Sequence, residues 1–301
     1  MNDRIAVIGA GLAGLVVASR LHAAGRAVTV FDKSRGLGGR LATRRTTFGA
    51  FDHGAPVAHC ERAPIQFLEA ENACVRWGDL GHVGLPGMSG FVRPLARGLD
   101  IRPSVEIGSV RASGTGVDLL DRDSDVHGPY ARAVLAVPAA QARRMTEGLA
   151  GADGLEAAAM KPVWTLMAAF DRRPDLPDVV RPGGALRLVV RNAAKPGRSG
   201  ETWVAHASSG WTRDHLEDPN EGVLPKLIAE FEDIALGRLP RPVHVEAHRW
   251  RHGLTERALG TPFLPLAGGR VLAGGDWALG SRAEHAWLSG QAMAEEILGC
   301  R

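Results

Sequence analysis

Two stretches at opposite ends of the chain share one pattern: a short apolar run, a glycine turn and then a helical segment. In "RIAVIGAGLAGLVVASRLHAAGRAVTVFDK", Ile5 to Ile8 is uniformly apolar, as suits a parallel strand covered on both faces. A tight turn, a helix and a second strand ending at Asp32 follow, and Gly25 stands where a helix C-terminal glycine belongs. In "RVLAGGDWALGSRAEHAWLSGQAMAEEIL", a strand from Val271 to Ala273 precedes a glycine turn and the lone acid Asp276. An amphipathic helix is then expected from about Glu284 to Leu298.

Between these ends the pattern changes. "LPGMSGFVRPLARGL" predicts a turn in which Ser89 caps a short helix, with Pro94 near its start. Three or four strands follow, with turns at Gly114, Asp123 and Gly128, and they end in a buried run before Pro138. From about Ala150 to His252 proline and tryptophan become frequent. Strand-like "PVWTLMAAF", "LRLVVRN" and "TWVAHAS" appear there, with one helix expected around Pro225 to Leu236. These segments predict a separate antiparallel sheet with a helix. No internal repeat is visible.

Composition narrows the class without naming a function. At 301 residues with 45% hydrophobic side chains, the chain can bury one large core or two intertwined ones. The 36 basic and 33 acidic residues are spread without a run of like charge, so no nucleic-acid groove is indicated. Only Lys33, Lys161, Lys195 and Lys226 are lysines, so nearly all positive charge is arginine. Cys60, Cys74 and Cys300 are widely spaced and form neither a disulfide framework nor a zinc motif, which fits a reduced, cytoplasmic compartment. Glycine punctuation of the first apolar run argues against a secretory leader, and no uncharged run is long enough for a membrane span. His244 and His248 are four apart but lie in strand-like sequence, so no metal site is expected.

The glycine spacing at the N-terminus carries the first chemistry. Gly9 permits the strand-to-helix turn, Gly11 lets backbone approach a pyrophosphate, and Gly14 lets the helix pack on the strand. With Leu12 and Ala13, the helix start offers unpaired N–H groups and the positive end of its dipole to phosphates. Asp32, 18 residues after Gly14, can accept ribose hydroxyls, and Lys33 follows it. A bound dinucleotide is expected. Beyond the acid, Gly38, Gly39 and Arg40 add a second glycine pair and an arginine able to neutralise the pyrophosphate from its other side.

This continuation resembles the flavin-binding oxidases and dehydrogenases of the amine-oxidase type. The resemblance implies FAD lying extended, its adenosine end on the N-terminal turn and its flavin end near the C-terminal strand and helix. Asp276 would then meet ribityl or phosphate oxygens, and N–H groups near Trp287 and Leu288 the flavin C2 carbonyl and N1. The Val105 backbone is an implied adenine contact. The expected fold is α/β: a Rossmann-like FAD-binding domain from residues 1–50, 84–150 and 253–301, with a discontinuous α+β substrate domain from 51–83 and 151–252.

A narrower likeness covers most of the chain. "FDKSRGLGGRLATRR", "VGLPGMSGFVRPLARG", "VRNAAKPGRSGETWVAHASSGWTRDHLE", "AHRWRHG" and "GDWALGSRAEHAWLSGQ" resemble, in order, segments of the bacterial renalase-like flavoproteins. That resemblance implies noncovalent FAD, oxidation of 2- or 6-dihydro isomers of NAD(P), and reoxidation by O2 to give H2O2. One segment departs. Where the family usually has Asp-x-Gly-Ala-Gln-Tyr-Phe, this chain reads "DHGAPVAHC" from Asp52, and Pro56 supplies neither an N–H nor a side-chain amide beside the flavin.

Hydride transfer from a dihydropyridine needs stacking and orientation but no obligatory base, so no catalytic residue is assigned. His53, Pro56, Trp211, Arg249, Trp250 and His285 are substrate-pocket candidates, because their segments are expected to face the flavin. Lys195 invites a flavin-partner role, but in "AAKPGR" it reads more simply as an exposed turn lysine. Two alternatives remain: a flavin amine oxidase, for which the single Tyr130 leaves few parts of an aromatic cage, and a flavin-bound protein without turnover.

Overall fold

A computed structural model describes residues 3–60, 65–114 and 116–299. At its centre is a six-stranded sheet in the order Phe263–Leu266, Val271–Gly274, Arg132–Leu135, Ile5–Ile8, Val28–Asp32, Asp100–Pro103. It is parallel except where the first of these strands pairs with the second. The unbroken apolar run of Ile5–Ile8 has a direct cause. Ile5 and Val7 pack with Leu15 and Val16 of the helix Leu12–Ala23 and with Met293 and Ala294 of the helix Ala283–Leu298. Ala6 and Ile8 pack with Val110, Val117 and Leu119 of a three-stranded antiparallel layer on the other face. Both faces are dry, so neither can be polar.

The two ends of the chain meet in this domain. A Cβ added at Gly290 would lie 2.5 Å from the Ala13 carbonyl oxygen, so the missing side chain lets the last helix lie against the first. The second sheet is antiparallel, in the order Val179–Val180, Leu186–Arg191, Thr202–Ala207, Ala159–Phe170, Pro242–Arg257. Alternation along Ala159–Phe170 sends Trp164, Leu166 and Ala168 under the helix Asn220–Ile234, against Val223, Leu227 and Phe231. Met167 and Ala169 face the other way, toward Phe51 and Val204. A cross-strand row on that second face joins Leu188, His206, Thr165 and His248.

Several local expectations differ from what forms. Ser89 is not a cap: Gly87 precedes a 3-10 turn over Met88–Val92, and Ser89 lies inside it with its N–H donated to Thr43 Oγ1. Gly128 lies within the strand Val126–Tyr130, at a register shift, rather than in a turn. The helix expected at Pro225 begins five residues earlier, after Pro219. Among the described residues of 58–60 and 65–83, Ala58, Cys60, Leu68, Ala73, Cys74 and Val83 join the apolar cluster of the first helix rather than that of the second sheet. The division expected at residue 253 falls inside the single long strand Pro242–Arg257. Among the described residues no helix is long and apolar enough to cross a membrane.

Candidate functional site

The turn after Ile5–Ile8 opens onto one continuous cavity of about 1730 Å³, bounded by both sheets. A single ligand pocket is usually about 300–1,000 Å³, so this space suits a dinucleotide with a second molecule beside it. Gly9 has φ 108°, which the turn requires, and its N–H donates to the Phe31 carbonyl at 2.7 Å. A Cβ at Gly14 would lie 1.9 Å from the Gly9 carbonyl oxygen, whereas one at Gly11 meets no protein atom within 4 Å. Gly14 is thus a packing glycine, and Gly11 faces the cavity with room for a ligand. Leu12 and Ala13 line the same wall at the helix start.

Asp32 also lines the cavity. Its two oxygens accept from the N–H groups of Ala10 at 2.6 Å and Ser34 at 2.7 Å, which fixes the carboxylate and leaves lone pairs for ribose hydroxyls. Lys33 and Val105 are beside it, and the Val105 N–H is bound to the Asp32 carbonyl at 3.0 Å. Arg40 and Asp276, expected as separate contacts, form a fork-to-fork ion pair, with Nη1 donating to Oδ2 at 2.7 Å. The segment after Gly38 and Gly39 is therefore joined by charge to the C-terminal glycine turn beside the cavity.

At the C-terminal helix the residues that border the cavity precede Trp287 and Leu288. Arg282, Ala283 and Ala286 line the cavity, while Trp287 is buried in the core and Leu288 is 39% exposed. Trp287 and Leu288 are the fifth and sixth residues of a helix that begins at Ala283. Only the first four N–H groups of a helix lack intrahelical partners, so the free donors lie earlier.

The wall under the second sheet is built from His53, His248 and Trp250. The His53 and Trp250 rings lie 5.2 Å apart, His53 and His248 5.0 Å, and Trp250 Nε1 donates to the His53 carbonyl at 2.9 Å. Burial, then the neighbouring His248 and Arg44, pushes His53 down to about 4. Burial and Arg44 do the same to His248, also about 4. Both rings are neutral at pH 7. Pro56 and Arg249 line the cavity as expected, although Arg249 also donates to the Leu216 carbonyl and lies over the Trp164 ring. Trp211 and His285 do not reach it. Trp211 packs on the His215 ring, and His285 Nδ1 accepts the Arg282 N–H at the helix start.

Lys195 overturns its reading as an exposed turn lysine, since only 3% of it is accessible. Its ammonium donates to Asp52 Oδ2 at 3.0 Å and to Asn192 Oδ1 at 2.9 Å. Asp52, fully buried, also accepts from Arg198 Nη2 at 2.6 Å, the Met88 N–H at 2.9 Å and the Thr43 hydroxyl at 2.8 Å. Burial alone would raise Asp52, but Lys195 and Arg198 outweigh it and hold the carboxyl at about 2. Burial lowers Lys195 to about 8 against the pull of Asp52. This network lies behind the cavity wall and anchors the segment that carries His53 and Pro56. No local motif announced it, because its members are 143 and 146 residues apart.

Sequence reasoning also missed His206, Arg187 and Arg44, which line the cavity from the second sheet and the hairpin around residues 44–51. Neither Cys60 nor Cys74 borders it; both are buried, which pushes each thiol up to about 12. Cys300 lies outside the described residues.

Residues 7–67 match the family described as NAD(P)-binding Rossmann-like domain, and residues 50–298 match flavin containing amine oxidoreductase. Short stretches resemble 4,4'-diapophytoene desaturases, 43% identical over 53 residues in Staphylococcus haemolyticus and 41% over 71 residues in Staphylococcus aureus. Those stretches are 18% and 24% of this chain, and the matches span 11% and 14% of the relatives' lengths. Among solved structures, a putative protoporphyrinogen oxidase from Exiguobacterium sp. 255-15 has a TM-score of 0.75 at 13% identity, covering 99% of each chain. A putrescine oxidase bound to putrescine has a TM-score of 0.74 at 14% identity, again covering 99% of each chain. At these identities the likeness is one of fold.

Proposed function

Because the chain belongs to the flavin containing amine oxidoreductase family, we propose that it is an oxidase that binds FAD noncovalently and takes hydride from 2- or 6-dihydro isomers of NAD(P). The residues lining the cavity fit the cofactor: open space at Gly11, spare acceptor capacity on Asp32, and the Arg40–Asp276 pair that joins the segment after Gly38 and Gly39 to the C-terminal glycine turn. When bound, the flavin supplies two-electron acceptor chemistry. In the overall reaction one hydride and one solvent proton reduce O2 to H2O2, and the donor leaves as the oxidised pyridinium.

One observation carries the choice of donor. The cavity wall under the second sheet bears Arg181, Arg187, Arg249 and Arg251, and no Asp or Glu among its described lining residues. Asp32 and Glu106 border the cavity near the N-terminal turn, and Asp276 is paired with Arg40. Arg251 is already forked onto Glu217 and Arg249 lies 3.9 Å from the same carboxylate, so the open positive charge there is that of Arg181 and Arg187, which opposes a cationic amine and favours an anionic nucleotide. The neutral His53 and Trp250 rings, inclined by 30° with His248 edge-on to His53, offer a weakly polar aromatic surface for a dihydropyridine, with no group that must take a proton. The Asp52 network holds that surface in place from behind.

Anaerobic mixing tests this reading. The 2- and 6-dihydro isomers should bleach the flavin rapidly, the ordinary 4-dihydro form slowly, and mono- or polyamines not at all, with peroxide formed on admitting air. Bleaching by an amine alone would transfer the assignment to an amine oxidase. Bleaching by none of these donors would refute the dihydropyridine reading.

A further inference from the structure

Between Leu186 and Leu188 the register of the second sheet shifts. Leu186 pairs with Ala207 but Leu188 with His206, so Arg187 is an extra residue on its strand. A bulge of this kind re-aims a side chain, and Arg187 lines the cavity together with its sequence neighbour Leu188. Its Nε is buried without a hydrogen-bond partner, and the guanidinium makes no ion pair among the described residues. Burial lowers its pKa, with no acid to oppose the shift.

His206 pairs with Leu188, the residue after Arg187, in the cross-strand row. Only 2% of His206 is accessible, and it lines the same cavity. Its Nδ1 is 3.2 Å from Thr165 Oγ1, and its Nε2 has no partner. Burial, followed by the charges of Arg187, Lys195 and His53, drives the ring well below its ordinary pKa, so it is neutral. The Thr165–Nδ1 contact serves either tautomer, and an oxyanion selects the one in which the hydroxyl donates and the ring proton sits on Nε2. Among the described residues Arg187, with no ion pair, and His206, with Nε2 unpartnered, thus border the same cavity, near enough for the Arg187 charge to lower the ring. Buried donors and charges of this kind are costly unless an acceptor completes them.

We infer that Arg187 and His206 form a subsite for an oxyanion carried by the substrate, a phosphate or a carboxylate, which orients the donor from the second sheet. The inference rests on the reading that a flavin and its donor share this cavity. It adds that the donor is held by a negative group away from its reacting ring. Arg187 offers a planar fork suited to two oxygens of one anion, which lysine cannot reproduce.

Calorimetric titration of the purified holoenzyme with sodium pyrophosphate and, separately, sodium benzoate tests the subsite and tells phosphate from carboxylate. At least one anion should bind saturably, with affinity falling tenfold or more in Arg187→Met and several-fold in His206→Phe, while flavin content and spectrum stay unchanged. Arg187→Lys should bind several-fold more weakly than wild type, and it decides the matter if the Met variant does not retain flavin. Absence of saturable binding by either anion, or affinity unchanged by the Arg187 substitutions, overturns the proposal. The donor assignment fails separately: anion binding that depends on Arg187, in a protein whose flavin no dihydropyridine bleaches, keeps the subsite and removes that donor.

Discussion

Arg40 Nη1 donates to Asp276 Oδ2 at 2.7 Å, and this pair, 236 residues apart in sequence, ties the segment after Gly38 and Gly39 to the C-terminal glycine turn beside the cavity. Asp276→Ala would leave Arg40 unpaired beside the site. Breaking a buried pair costs about 3–5 kcal/mol, and with the Arg40 side chain 29% exposed we expect about 2–3 kcal/mol. Chemical denaturation should show that loss together with reduced flavin retention. Unchanged stability and full flavin content would mean that the pair does not brace the site.

Gly11 and Gly14 should respond oppositely to the same small change. Gly11 has ordinary extended backbone, φ −77°, and empty space around its absent Cβ, so Gly11→Ala should change stability by less than about 0.5 kcal/mol while weakening FAD. Gly14→Ala drives a methyl into the Gly9 carbonyl and should destabilise the fold by about 1–3 kcal/mol. Thermal unfolding of the apoprotein and flavin content after gel filtration separate the two effects. A Gly11→Ala protein with full flavin affinity would place the cofactor elsewhere.

Acid should unfold the protein in two windows. His53 titrates at about 4 when folded against 6.5 unfolded, so the unfolded chain binds the proton first as pH falls. That stability contribution, about 3 kcal/mol at most, is complete above pH 6.5 and lost between 6.5 and 4. Asp52, held at about 2 against 3.8, contributes stability that is present above pH 3.8 and lost toward pH 2. His248 and His206 are lowered through the same window, so His53→Phe should remove only part of the loss seen between pH 6.5 and 5 in denaturant titrations. An identical pH profile in the variant would show that His53 does not titrate in this way.

Ala286 lies on the cavity wall at the start of the last helix. An acid there opposes the negative charge that develops on a reduced flavin, so Ala286→Asp should lower the flavin reduction potential by on the order of 10–40 mV. Leu288→Asp, two residues on and outside the cavity, should leave it unchanged. Equal potentials for Ala286→Asp and wild type would mean that this helix points away from the flavin.

Local pattern determined the strand, glycine turn, helix and acid at each end of the chain, because each is a short-range demand. A doubly covered strand must be apolar throughout, a tight turn needs glycine, and a ribose-binding acid must end the next strand. The same logic located the strands of the second sheet and singled out Asp32 and Arg40, while the family resemblance implied Val105, Asp276, His53, Pro56, Arg249 and Trp250, and all of these border one cavity. Tertiary structure decided what depends on partners far along the chain. Lys195 looks like a turn lysine until Asp52, 143 residues away, and Arg198 surround it. Arg187 reads as one position of an alternating strand until a bulge turns it toward the cavity and His206. Trp287 and Leu288 stand where free helix donors were expected, but the helix begins at Ala283, so by the fifth residue its N–H groups are already used. Periodicity specifies which face a residue occupies; it does not specify which charge from another element will be waiting on that face.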